Sequence, residues 1–84
     1  RWTDALEAYT RALEIDPESS EAFLGQAEAY LGLKRHEEAA DAALRVTELA
    51  FADPRGHCAL GLALVGMGDA ENAERALGVA LAQA

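Results

Sequence analysis

The sequence predicts an all-α fold of about five short antiparallel helices, and three observations carry that expectation. Apolar residues recur at helical spacing along the whole chain. Breakers at Asp16-Pro17, near Lys34-Arg35, at Asp53-Pro54 and at Gly66-Met67-Gly68-Asp69 interrupt the pattern at short intervals. Alanine supplies much of an apolar content of 51% while Phe, Tyr and Trp make up only 6%, a composition suited to helices that approach closely.

Taken in order, the first helix is expected at residues 2 to 15, ending before Asp16-Pro17. The second spans 20 to 33, with Ser19 or Ser20 as its cap. The third covers 36 to 51, and its Glu37, Glu38 and Asp41 favourably face the positive end of the helix dipole. Asp53 before Pro54 reads as an N-cap followed by a first-turn proline, opening a fourth helix at 54 to 67. Gly68 then closes that helix and Asp69 caps the fifth, at 70 to 83. The connections are too short for anything but antiparallel neighbours.

Eighty-four residues suit one small domain, 1 to 84. A chain of this size buries only about 60% of its unfolded surface, which argues against a large catalytic cleft. The net charge of −8 repels phosphate backbones, so nucleic acid is not an expected partner. That charge is lopsided: residues 1 to 53 carry twelve acids against five bases, residues 54 to 84 three against two. A lone Cys58 leaves no internal disulfide framework and fits a reducing compartment, with the cytoplasm as the default expectation. No apolar run approaches the roughly 18 residues a transmembrane helix needs. Arg1 and Trp2 already lie inside a helical pattern, so the chain reads as a piece of something longer. High Ala, Gly and Arg beside a single Lys point to a GC-rich bacterial source.

Sliding the sequence on itself by 34 residues aligns Ala5 with Ala39 and Ala73, Ala8 with Ala42 and Ala76, and Tyr9 with Ala43 and Leu77. The same step pairs Ala12 with Val46 and Ala80, Ala27 with Gly61, Tyr30 with Leu64, and Gly32 with Gly66. The small residues fall at i, i+3 and i+7, on one face of every second helix, where a neighbour can come close. A two-helix unit cannot bury its apolar face alone, so stacked copies must share a core.

A helix-turn-helix unit recurring every 34 residues resembles the tetratricopeptide repeat, and the resemblance runs along essentially the whole chain. It implies a right-handed solenoid of about two and a half repeats. Residues 1 to 19 look like the second helix of a partial unit, ending in Leu13-Glu14-Ile15-Asp16-Pro17; 20 to 53 form a complete unit, and 54 to 84 a nearly complete one. Phe23, Ala27, Tyr30 and Ala39 match the pattern in the complete unit, and Leu60-Gly61, Leu64, Gly68-Asp69, Ala73, Leu77 and Ala80 match it in the last.

The complete unit also departs from the pattern, with Gln26 where Leu60 stands, Ala43 in place of the larger Tyr9 and Leu77, and Phe51 in place of Pro17. Either Phe51 turns inward to fill the space beside Ala43, or the unit is underpacked; an uncompensated missing side chain costs roughly 2 to 5 kcal/mol. Lys34 stands where Gly68 stands, so a left-handed residue there costs about 1 kcal/mol relative to glycine, and a looser or differently shaped turn is expected.

No convergent catalytic set emerges. His57 and Cys58 are adjacent on a helix and point about 100° apart, and neither has the i+4 partner that would make a metal face. His36 reads as a half-buried helix-start residue, and the acids of the third helix as a solvated face. Gly61, Gly66 and Gly68 lack the Lys-Ser/Thr of a phosphate loop and serve packing and turning. No enzyme activity, metal or cofactor is expected.

The resemblance implies that the first helix of each unit lines a concave, ligand-gripping surface. Here that surface comprises Glu21, Leu24, Glu28 and Leu31 on one helix beside Arg55, Cys58, Leu62 and Val65 on the next. The set is acidic on one helix and apolar on the other, suited to a protein helix or peptide bearing Lys or Arg with Leu-like anchors. The family's carboxylate clamp, built of Lys, Arg and Asn, is not visible, since Arg55 is the only cation among these places. The function implied is a scaffold or adaptor. Two alternatives are a recruiting or regulatory segment of a larger enzyme or sensor, and self-association through end helices that lack polar caps.

Overall fold

The structure, a computed structural model, describes residues 1–83. It contains five helices among them: α1 (Trp2–Ile15), α2 (Ser20–Gly32), α3 (His36–Leu49), α4 (Pro54–Gly66) and α5 (Ala70–Gln83). Each packs on its neighbours in sequence, and α2 also touches α4, so the helices form a consecutive, all-α, repeat-like stack. The expected elements are all present, with α3 ending two residues before its expected limit at Phe51.

The starts obey the capping chemistry read from the sequence. The Ser19 hydroxyl accepts from the Ala22 amide at 3.1 Å, so Ser19 rather than Ser20 caps α2. Asp53 accepts from the Arg55 amide at 3.0 Å, and Asp69 from that of Asn72 at 3.2 Å.

The ends of α2 and α4 are the same structure twice. Lys34 has φ 60° and Gly68 φ 81°. The Arg35 amide donates to Tyr30 O and the Asp69 amide to Leu64 O, each at 2.9 Å, which is the six-to-one bond of a Schellman motif. The expectation of a differently shaped turn at Lys34 is therefore corrected. The backbone hydrogen bonds hold lysine in the left-handed region despite its Cβ, because the carbonyls at the end of α2 need those donors.

The core is built mainly from alanine. Leu24, Ala27, Ala42, Ala43, Val46 and Ala59 form one buried cluster contributed by α2, α3 and α4; Ala39, Ala40 and Ala63 form a second. Neither alternative offered for the Ala43 position holds. Phe51 stays 63% exposed, its ring edge-on to His57 at 4.8 Å, so it does not turn inward. Ala43 is fully buried without it, because Leu24 and Ala59 close around it in the same cluster. A larger side chain at 43 would have nowhere to go.

Glycines set the helix spacing at two contacts that decide the packing. A Cβ on Gly61 would fall 2.6 Å from Leu77 Cδ2, and one on Gly56 2.7 Å from Val46 Cγ1. At the place 34 residues before Gly61 and Leu77, the pair is Ala27 and Ala43: a small residue facing a small one instead of none facing a large one. The two solutions fill comparable volume from opposite sides.

Candidate functional site

The α2/α4 face grows from the same 34-residue step. Glu21 and Arg55 occupy equivalent places in the first turns of these helices, and the Arg55 guanidinium donates to Glu21 at 2.6 Å. It also donates to Asp53 at 2.7 Å. The bonds to Asp53 and then to Glu21 push the Arg55 pKa up, and the bond from Arg55 holds the Asp53 carboxyl below its usual range. The only cation expected on this face is thus committed to two carboxylates of its own chain.

Beyond that pair, Glu28 and Leu31 of α2 and Arg55, Cys58 and Leu62 of α4 surround a shallow groove of about 170 Å³. Ala59 adds to its lining. Leu62 is 51% exposed and Cys58 is an exposed free thiol. Five of the eight residues singled out from the sequence therefore meet around one groove. Glu21 lies beside it through Arg55, and Val65 is exposed further along α4.

Leu24 does not reach this surface. It is only 5% exposed and belongs to the core cluster with Ala43 and Ala59, while Leu31 is half-buried against the same core. The physical reason lies in helix geometry. At about 100° per residue, Leu24 and Leu31 sit roughly 60 to 80° round from Glu21, whereas Glu28 sits only about 20° away. The leucines form the edge of the stripe over which α4 packs. One step later, Cys58 and Val65 occupy the same edge of α4 and remain exposed.

Sequence reasoning missed two further concave regions. Pro54, Cys58, Leu77 and Leu81 line a trough of about 450 Å³ between α4 and α5. Its signal was present in the i, i+4 spacing of Leu77 and Leu81. A cleft of about 490 Å³ lies between α3 and α5, with Leu60 and Leu64 of α4 among its lining residues. His57 borders that cleft but is buried, its Nε2–H donating to Phe51 O at 2.8 Å, and the same carbonyl accepts from Gln83 Nε2 at 2.8 Å. These bonds tie the α3–α4 turn to the end of α5. Among the described residues no three His, Cys, Asp or Glu side chains gather as a metal-ligand set.

A family model described as tetratricopeptide repeat matches residues 1–55, well over half of the chain. The chain belongs to the tetratricopeptide repeat family. No curated protein matches it. The match stops at the first turn of α4, yet the tetratricopeptide spacing continues beyond it in the paired turns at Lys34 and Gly68 and in the alanines Ala73, Ala76 and Ala80, all buried. Tetratricopeptide repeats generally mediate protein–protein interaction. None of the described helices is long and apolar enough to cross a membrane.

Proposed function

We propose that this tetratricopeptide chain is a non-catalytic scaffold or adaptor segment of about two and a half repeats, holding a protein helix or peptide along the α2/α4 face. The observation that carries the reading is the convergence of Glu28, Leu31, Arg55, Cys58 and Leu62 around one groove. Its partner is basic and apolar. Glu28 is exposed beside Leu62, while Glu21 and Asp53 occupy the one nearby cation, so an approaching Lys or Arg meets uncompensated negative charge next to an apolar anchor site. Sedimentation velocity with fluorescent Lys- and Leu-containing peptides tests this. Co-sedimentation that saturates, and weakens on Glu28→Lys or Leu62→Ser, is expected; peptides that never co-sediment contradict it.

A second reading, self-association, is favoured by the α4/α5 trough, where Leu81 is 77% exposed beside Leu77 and Pro54. It predicts a sedimentation coefficient that rises with protein concentration and no longer does so in Leu81→Glu.

A further inference from the structure

We propose that the cleft between α3 and α5 is a second docking surface, which takes a partner-protein helix bearing leucine-type side chains on one stripe and lysines or arginines along one flank. The cleft lies on the opposite side of α4 from the groove of Glu28 and Leu62, since Leu60 and Leu64 are roughly 140 to 180° round the helix from Arg55. The inference therefore stands apart from the α2/α4 reading.

The case rests on two equivalent clefts with different fillings. Phe23, Tyr30, Ala42 and Arg45 line the first, of about 240 Å³. One 34-residue step later, His57, Leu64, Ala76 and Val79 line the second, of about 490 Å³. In the first, the chain supplies its own cationic cover: the Arg45 guanidinium lies 5.2 Å over the Phe23 ring and that of Arg35 5.0 Å over Tyr30. In the second, Val79 and Asp69 stand in the places of these arginines, so no guanidinium covers the floor. The cleft doubles in volume and becomes apolar.

Its edges define the occupant. α3 and α5 do not pack on each other, which leaves the floor open between them. Leu44 on the α3 wall is 45% exposed, and Met67 at one end is 47% exposed. Above Leu44, Glu37 and Asp41 have no ion-pair partner among the described residues. On the far wall Arg75 bonds to Glu71 at 3.4 Å. A helix seated here buries leucines on Leu60, Leu64 and Met67 and turns its basic flank toward α3, replacing from outside the cations that the first cleft holds from within.

The test uses the isotope-labelled chain and a synthetic 14-residue helical peptide with leucines at i, i+4, i+7 and i+11 and lysines along one flank. Amide and methyl shifts are followed during titration, with a glutamate-for-lysine peptide as comparison. Saturable shifts at Leu44, Leu60 and Met67 are expected with the lysine peptide only. The double variant Glu37→Lys/Asp41→Lys, both sites being exposed, should fold normally by circular dichroism and bind at least tenfold more weakly. Shifts confined to Glu28 and Leu62 overturn this inference while leaving the α2/α4 reading intact. Equal binding of the glutamate peptide, an unaffected double variant, or no shifts at Leu44 and Met67 each overturn it as well.

Discussion

Glu21 and Arg55, 34 residues apart in sequence, meet through a 2.6 Å ion pair that joins equivalent turns of α2 and α4. Both side chains are largely exposed, so the pair contributes little to folding and mainly shapes the charge of the face. Removing the cation therefore changes binding more than stability. Arg55→Ala should leave the thermal midpoint nearly unchanged and tighten a lysine-bearing peptide at low salt. The gain should shrink as ionic strength approaches 0.15 M, where the Debye length is about 8 Å. Anisotropy titrations at two salt concentrations check this.

The Gly61–Leu77 contact predicts a coupled pair of substitutions. Gly61→Ala puts a Cβ against Leu77 Cδ2 and should destabilise by about 1–3 kcal/mol despite alanine's better helix propensity. Adding Leu77→Ala recreates the Ala27/Ala43 arrangement found one step earlier. The double variant should thus be more stable than the two single effects summed, with a coupling of about 0.5–3 kcal/mol in urea unfolding. Strict additivity would mean that the two sites do not share space.

Lys34→Gly should stabilise the chain by about 1 kcal/mol, since Lys34 already holds φ 60°. A rise in urea midpoint without a change in slope is the expected signature.

Acid should weaken the α4 cap. Asp53 ionises more readily in the folded chain than its ordinary value of 3.8, so the unfolded chain takes up its proton first as pH falls. Its contribution is complete above that value and is lost as pH drops through the lower, folded one. Asp53→Asn keeps a capping residue but removes the titration. Its stability should therefore decline less steeply between neutral and acid pH, measured by circular dichroism.

Much of this was legible in the sequence because the punctuation is local. Asp53-Pro54, Gly68-Asp69 and the serines before α2 mark helix ends through bonds spanning a few residues, and each was found in place. The shape of the Lys34 turn was misjudged because its side chain suggests one conformation while the carbonyls of α2 require another. Leu24 was misjudged for a different reason. It shares a stripe with Glu21 and Glu28, and only the crossing of α4 over α2, a contact between residues far apart in sequence, decides that this edge is buried. The cleft beyond α4 was overlooked for the same reason: its width depends on α3 and α5 standing apart.

The central claim is that the α2/α4 groove holds a basic, apolar protein segment. Isothermal titration of the chain with a lysine- and leucine-bearing helical peptide, repeated on Leu62→Asp, tests it most directly. A saturable one-site isotherm on the native chain, with affinity at least tenfold weaker in the variant and an unchanged circular dichroism spectrum, is the predicted result. No saturable heat, or equal affinity in Leu62→Asp, would contradict it.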